Sequence, residues 1–189
     1  MPVAVAQGPH PVCIAAAWTN ALLAVRPAVS FPGGRDAFEW ALHAHDTAGQ
    51  HRGLHAAGRS LAVVGRVFTD AGLIAAYQRL PVIEDVLDAL DDGPVVASLD
   101  WTDRMELPDP QTNIARPHGR RTSSRHSVAL IERITCRHST IHPNGDFVRF
   151  RNSRGLTYGD HGDALITVDD LASILHNAYR FTMPSRGSG

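Results

Sequence analysis

The densest apolar stretch of the chain runs from Cys13 to Val25 and predicts a helix buried on most of its sides. Arg26-Pro27 ends it, because proline cannot continue the helical hydrogen-bond ladder. Phe31-Pro32-Gly33-Gly34 is a turn cluster leading into a second helix near Asp36 to Ala48, and Gly49 to Ser60 reads mostly as loop. Asp70 to Arg79 and Pro81 to Leu90 read as short helices, the latter with proline in its first turn and Val82, Val86, Leu87 and Leu90 on helical spacing. Asp91-Asp92-Gly93 closes that segment, and Pro94 to Leu99 follows as a strand.

Beyond residue 100 the pattern changes. Met105 to Ser124 is rich in Pro, Arg and Ser without periodicity, which predicts a long loop. Strands are expected at Ser127 to Cys136, Asp146 to Arg151 and Gly162 to Val168, with a turn at Asn144-Gly145. Asp169 to Asn177 reads as a helix capped by one of its aspartates, Tyr179 to Met183 as a last strand, and Pro184 to Gly189 as a disordered tail. No internal repeat is present. The sum is an α+β chain: a mainly helical lobe over 1–93 and a mainly β lobe over 94–183, joined as one compact unit, with 184–189 as the tail.

With 189 residues and 43% hydrophobic content, the chain can bury one good core or two small lobes sharing an interface. A formal net charge of −1 gives no electrostatic case for nucleic acid. No run approaches the roughly 18 apolar residues of a membrane helix, and Met1 to Ala6 is too short and lacks the basic flank of a signal peptide, so a cytoplasmic protein is expected. Cys13 and Cys136 then read as two separate thiols. All 18 residues counted as Lys+Arg are arginine, which fits a compositional bias shared with alanine, glycine and aspartate. The 11 histidines include the sets His43/His45 and His51/His55, but no cysteine or carboxylate motif accompanies them, so neither a metal nor another cofactor is expected.

Four short segments carry the candidate chemistry. Gln7-Gly8 stands six residues before Cys13, which opens the first helix; His126 lies in Ser124-Arg125-His126-Ser127-Val128; and Asn152-Ser153-Arg154-Gly155-Leu156-Thr157-Tyr158-Gly159-Asp160-His161-Gly162 is punctuated by glycines. This run resembles the Asn-Ser-Trp-Gly-x-x-Trp-Gly-x-x-Gly segment of papain-like cysteine peptidases, with both tryptophans replaced. The order Gln, Cys, His, Asn is that family's order as well. Cys13 precedes Asn152 by 139 residues, within the span of about 130 to 150 seen for papain-type partners, whereas His126 falls somewhat short of it.

The resemblance implies a papain-like two-lobed fold, a helical lobe with a central Cys helix packed against an antiparallel β-barrel-like lobe. It implies Cys13 as nucleophile, His126 as acid and base, Asn152 as the residue orienting that ring, and Gln7 with the Cys13 N–H as donors to a charged carbonyl oxygen. A cysteine in the first turn of a helix feels unpaired N–H groups, which favour thiolate. Trp18, five positions on, is expected to point into the helical core. Arg154, Trp101 and Ser153 are expected on the substrate side, and Met105 near the cleft or lobe interface.

The departures matter too. Val12 and Ile14 flank the cysteine where the family has a small residue and an aromatic one. Arg154 stands where the family's tryptophan covers the His–Asn bond; a guanidinium excludes water less well but binds carboxylates and phosphates. Only six residues precede Gln7, so the chain reads as a compact bacterial type without an inhibitory prosegment. A narrow peptide, amide or thioester substrate is therefore expected, with no nucleic-acid or membrane partner and the oligomeric state open. Acyl transfer from the same acyl-cysteine is the alternative activity, and a catalytically silent binding module the alternative from another class.

Overall fold

The computed structural model describes residues 4–26, 28–50, 60–122 and 125–185. In chain order its elements are α1 (Cys13–Val25), α2 (Ala37–Gln50), α3 (Leu61–Asp70), β1 (Ala76–Leu80), α4 (Ile83–Asp92), β2 (Val95–Leu99), β3 (His126–Cys136), β4 (Gly145–Arg151), β5 (Asp163–Thr167), α5 (Val168–Ile174) and β6 (Leu175–Thr182). Short 3-10 turns occupy Pro32–Gly34 and Asp103–Glu106. The six strands form one sheet in the order β1-β6-β2-β3-β4-β5, and every neighbouring pair is antiparallel.

The two-residue period of the strands divides the apolar side chains between two cores. Val95, Ala97 and Leu99 of β2 and Val128 and Leu130 of β3 enter one core, while Val96 and Ala129 enter the other. On the Val96 side lie α1, α2 and α3, which contribute Trp18, Leu22, Trp40 and Phe68. The opposite side is filled by Val86 and Leu90 of α4, Leu171 of α5, and Trp101, Met105 and Phe150. Trp18 is fully buried, as its spacing from Cys13 predicts, and its indole N–H donates to Leu61 O at 3.0 Å. Burying apolar side chains of this size contributes about 2 to 3 kcal/mol each, so the start of α1 is set by a heavily packed helix.

Local chemistry fixes most element ends. Asp36 Oδ1 accepts the Glu39 N–H while Glu39 Oε2 accepts the Asp36 N–H, a reciprocal cap that starts α2. Ser60 caps α3 by accepting the Val63 N–H.

Three expectations need correction. The helix expected over Asp70 to Arg79 is instead the end of α3, a turn and strand β1. Gly72, at φ +69°, stops the helix, and Ala76 to Leu80 then pairs with β6, so sheet pairing overrides the helical propensity of the alanines. The helix expected to reach Asn177 stops at Ile174, because the alternating segment from Leu175 supplies a strand pairing with both β1 and β2. Its cap is Thr167, accepting from Asp170 N, rather than an aspartate. Part of the loop expected at Gly49 to Ser60, the residues Ser123 and Ser124, and the tail from Arg186 lie outside the described residues. Among the described residues no helix is long and apolar enough to cross a membrane.

Candidate active site

Cys13 is half-buried at the first turn of α1. Val12, at the cap position, offers no side-chain acceptor, so the N–H groups of Cys13 and Ile14 remain turned to the thiol. They act in the direction that favours thiolate, as do the backbone and hydroxyl of Ser127. Burial acts the other way and wins, raising the thiol above its ordinary value. The expectation of a thiol pKa depressed by the helix start is corrected here: desolvation outweighs the helix-end N–H groups.

His126 is the first residue of β3, and Ser127, its chain neighbour, brings that strand against the Cys13 thiol. The imidazole is buried, with Nε2 at 2.7 Å from Asn152 Oδ1. The Ser153 N–H donates to the same Oδ1 at 2.7 Å, which fixes the orientation of the carboxamide, since a backbone N–H needs an acceptor. Nε2 must then carry the proton, leaving Nδ1 unprotonated. Burial lowers the His126 pKa to about 4; the bond to Asn152 opposes that shift and the nearby Arg154 charge reinforces it. Thiol and imidazole are therefore both held neutral near pH 7.

Asn152 is itself fully buried at the end of β4, its N–H donating to Gly162 O at 2.8 Å. Its Nδ2 lies near the Tyr158 hydroxyl without closing a hydrogen bond of good geometry. The loop from 152 to 162 is clamped at its base by a buried bidentate pair, Arg151 Nε to Asp163 Oδ1 at 2.7 Å and Arg151 Nη2 to Asp163 Oδ2 at 3.0 Å.

Gln7 reaches the site on the N-terminal segment, which this glycine run cradles. Its N–H donates to Ser153 O at 2.7 Å, its Oε1 accepts from Ser153 Oγ, and its Nε2 donates to His10 O at 3.1 Å, leaving the second amide hydrogen of Nε2 free. Val5 N, upstream, donates to Asn20 Oδ1 of α1. Gly162, at φ +97°, sits so close that an added Cβ would lie 2.7 Å from the Ala4 side chain.

The remaining expected residues stand one layer back or at the edge. Trp101 is buried, its ring edge-to-face with His126 at a centroid separation of 4.7 Å. Its indole N–H donates to Glu106 Oε1 at 3.0 Å, and the same oxygen receives Arg154 Nη2 at 2.8 Å. Ser153 is buried against Gln7, whereas Arg154 is partly exposed and already paired with a carboxylate. Met105 is fully buried, and its carbonyl accepts the Tyr158 hydroxyl at 2.9 Å; burial raises that phenol's pKa.

Sequence reading assigned no role to Glu106, Ser127 or the Arg151–Asp163 pair. Glu106 lies in an aperiodic segment with no local pattern to mark it. Opposite charges flanking the glycine run are visible in the sequence, but such spacing is commonplace.

Both cysteines are free, and Cys136 packs beside a small cluster of Ile114, Phe147 and Leu165. His45 is buried on α2, His43 lies beside Trp40, and His51 and His55 fall outside the described residues. Among the described residues no group of three or more His, Cys, Asp or Glu is placed to hold a metal ion.

Among solved structures the chain is similar to procathepsin L 3 of the Tenebrio molitor larval midgut, with TM-score 0.70 and 14% identity over 96% of this chain and 66% of that one. It is similar to the bromelain protease of Ananas comosus, with TM-score 0.68 and 14% identity over 97% and 95% of the two chains. A cysteine protease of Carica candamarcensis gives TM-score 0.63 and 13% identity over 97% and 93%. No protein-family model and no curated protein sequence matches. The fold is papain-like.

Proposed function

We propose that the protein is a thiol hydrolase that cleaves a narrow peptide or amide substrate through an acyl thioester on Cys13. The observation that carries this reading is the 2.7 Å His126–Asn152 contact, with its tautomer fixed, on the strand that brings Ser127 against the Cys13 thiol. A merely structural histidine would not need a buried, doubly engaged carboxamide to orient it.

Because thiol and imidazole are both neutral, proton transfer accompanies attack. His126 Nδ1 takes the thiol proton as Cys13 Sγ bonds to the substrate carbonyl carbon, and the carbonyl π pair moves onto oxygen. The Cys13 N–H and the free Gln7 amide hydrogen are the donors for that oxygen. Collapse reforms the C=O bond and breaks the C–N bond, and the departing amine takes the proton from Nδ1. Water then adds to the thioester with His126 accepting a proton; the C–S bond breaks, the acid leaves and sulfur regains its proton. An amine in place of water would give acyl transfer by the same steps. The substrate side is open at Arg154, with Trp101 and Ser153 acting from behind. Two free thiols suit a cytoplasmic setting.

The test is to trap the acyl-enzyme. A panel of peptide amides and thioesters should add an acyl mass to the fragment containing Cys13. Cys13→Ala should stay folded and lose the adduct and all turnover. Turnover that survives this substitution overturns the assignment. Offering water or amines to the trapped species then separates hydrolysis from transfer.

A further inference from the structure

An aromatic ring from outside α1 and the glycine run packs against the His126 imidazole. It is Trp101, which follows β2 and meets the imidazole edge-to-face. The indole is only 2% exposed and is pinned on several sides. Its N–H is held by Glu106, the backbone carbonyl of Trp101 accepts both the N–H and the hydroxyl of Thr122, and its ring packs edge-on against Phe150. Glu106 is fixed in turn by Arg154, which leaves the glycine run two residues after Asn152. The result is a closed circuit, Asn152 to His126 to Trp101 to Glu106 to Arg154 and back along the chain.

We propose that Trp101 is a positioning residue: an apolar wall, latched by Glu106 and braced by Arg154, that keeps water from the His126–Asn152 hydrogen bond and holds the ring in register. The inference rests on the thiol-hydrolase reading for its role in turnover. Its physical content, the shielding of His126, does not depend on that reading.

Three observations argue for it. A buried His–Asn bond weakens wherever water competes for Asn152 Oδ1, and an indole is the largest apolar side chain available to prevent this. The only polar atom of that indole is already satisfied by Glu106, so the ring contact with His126 is not a hydrogen bond from the indole N–H. Arg154 alone would be a poor cover, but its ion pair with Glu106 turns the charge to a latching purpose and leaves the carboxylate satisfied twice.

Among the described residues the charged and titratable groups around His126 are few. Cys13 reaches the neighbouring Ser127 from α1, Arg154 comes from the run, and Glu106 and Tyr158 stand behind Trp101 and Asn152. Arg125, the preceding residue, is engaged by Asp100. Burial is the largest influence on the proton affinity of the ring, and Trp101 is part of what buries it.

The test follows the imidazole resonance that disappears in His126→Ala through a pH titration of the purified protein, with acylation of Cys13 by a peptide thioester measured in parallel. Trp101→Phe keeps a ring but loses the latch and part of the cover. It should raise the His126 midpoint toward its ordinary value by about half a unit or more, since the shift comes from desolvation, and lower kcat with KM little changed. Trp101→Ala should raise the midpoint further. Glu106→Ala should behave like Trp101→Phe, while Glu106→Gln, which keeps an acceptor for the indole, should restore most of the wild-type midpoint. Trp101→Phe decides the matter if Trp101→Ala does not fold. A midpoint unchanged in folded Trp101→Phe overturns the proposal even if Cys13 acylates normally. A midpoint that moves in a protein whose Cys13 never acylates upholds the wall and sinks the hydrolase reading instead.

Discussion

His126 and Asn152 meet at 2.7 Å between the start of β3 and the end of β4, and the Ser153 N–H on the same carboxamide oxygen decides which imidazole nitrogen carries the proton. Removing the carboxamide should therefore free the ring to rotate and to change tautomer. We expect Asn152→Ala to lower kcat by about 10²-fold, the cost of misplacing a reacting group by roughly 1 Å. KM should change little. Steady-state kinetics on a substrate found by acyl-enzyme trapping checks this.

The depressed pKa of His126 makes stability depend on pH with a definite sign. The folded state holds the ring at about 4 and the unfolded state near its ordinary value of 6.5, so between these values the unfolded chain binds more protons. The contribution of the neutral ring is complete above about 6.5 and is lost as pH falls, at up to about 1.4 kcal/mol per pH unit, until about 4. Denaturant midpoints measured across this window should fall more steeply with acid for wild type than for His126→Asn. The acid limb of activity should lie near 4, well below that of an ordinary histidine.

Arg151 and Asp163 form a buried bidentate pair at the base of the glycine run. Arg151→Ala would leave the carboxylate buried without its main partner, a loss of about 3 to 5 kcal/mol. Urea unfolding is the measurement. The double change Arg151→Met with Asp163→Leu should recover much of the loss, because the penalty lies in the stranded charge.

How much of this was legible in the sequence differs from residue to residue. Cys13 to Val25 was legible as a helix because burial on nearly every side leaves an unbroken apolar signature, and the observed bounds agree. The strand from Ser127 was legible for the same reason. By contrast Ala76 to Leu80 pairs with β6, a hundred residues later in the chain, and no local pattern in its alanine-rich approach announces that partner. The candidate residues Gln7, Cys13, His126 and Asn152 stood out by order and glycine spacing. Their protonation did not, because burial rather than residue type sets it: the helix start argues for a thiolate, and desolvation reverses the result at Cys13. Glu106 was hidden because its importance comes from a shared oxygen atom, not from any spacing.

Gly162 is a backbone position where φ and space both exclude a side chain. Gly162→Ala should cost about 1 to 3 kcal/mol from strain alone and push the Ala4 segment outward. Gln7, three residues on, would be displaced with it. The variant should lose rate beyond its loss of stability, and comparing kcat at a temperature where the protein remains fully folded separates the two.

The clasp between the N-terminal segment and the glycine run also governs when the site comes into being during synthesis. Ser153 O, which receives the Gln7 N–H, and Asp163, which locks the run, are made about 150 residues after Gln7 and Cys13. A chain stalled on the ribosome before β5 holds a thiol with no oriented base and no seated glutamine. The order of synthesis thus serves as a timer, since the Cys13 thiol is made well before the residues that orient His126 and seat Gln7. Chains truncated before Asp163 should accordingly show no acylation of Cys13 above that of Cys136.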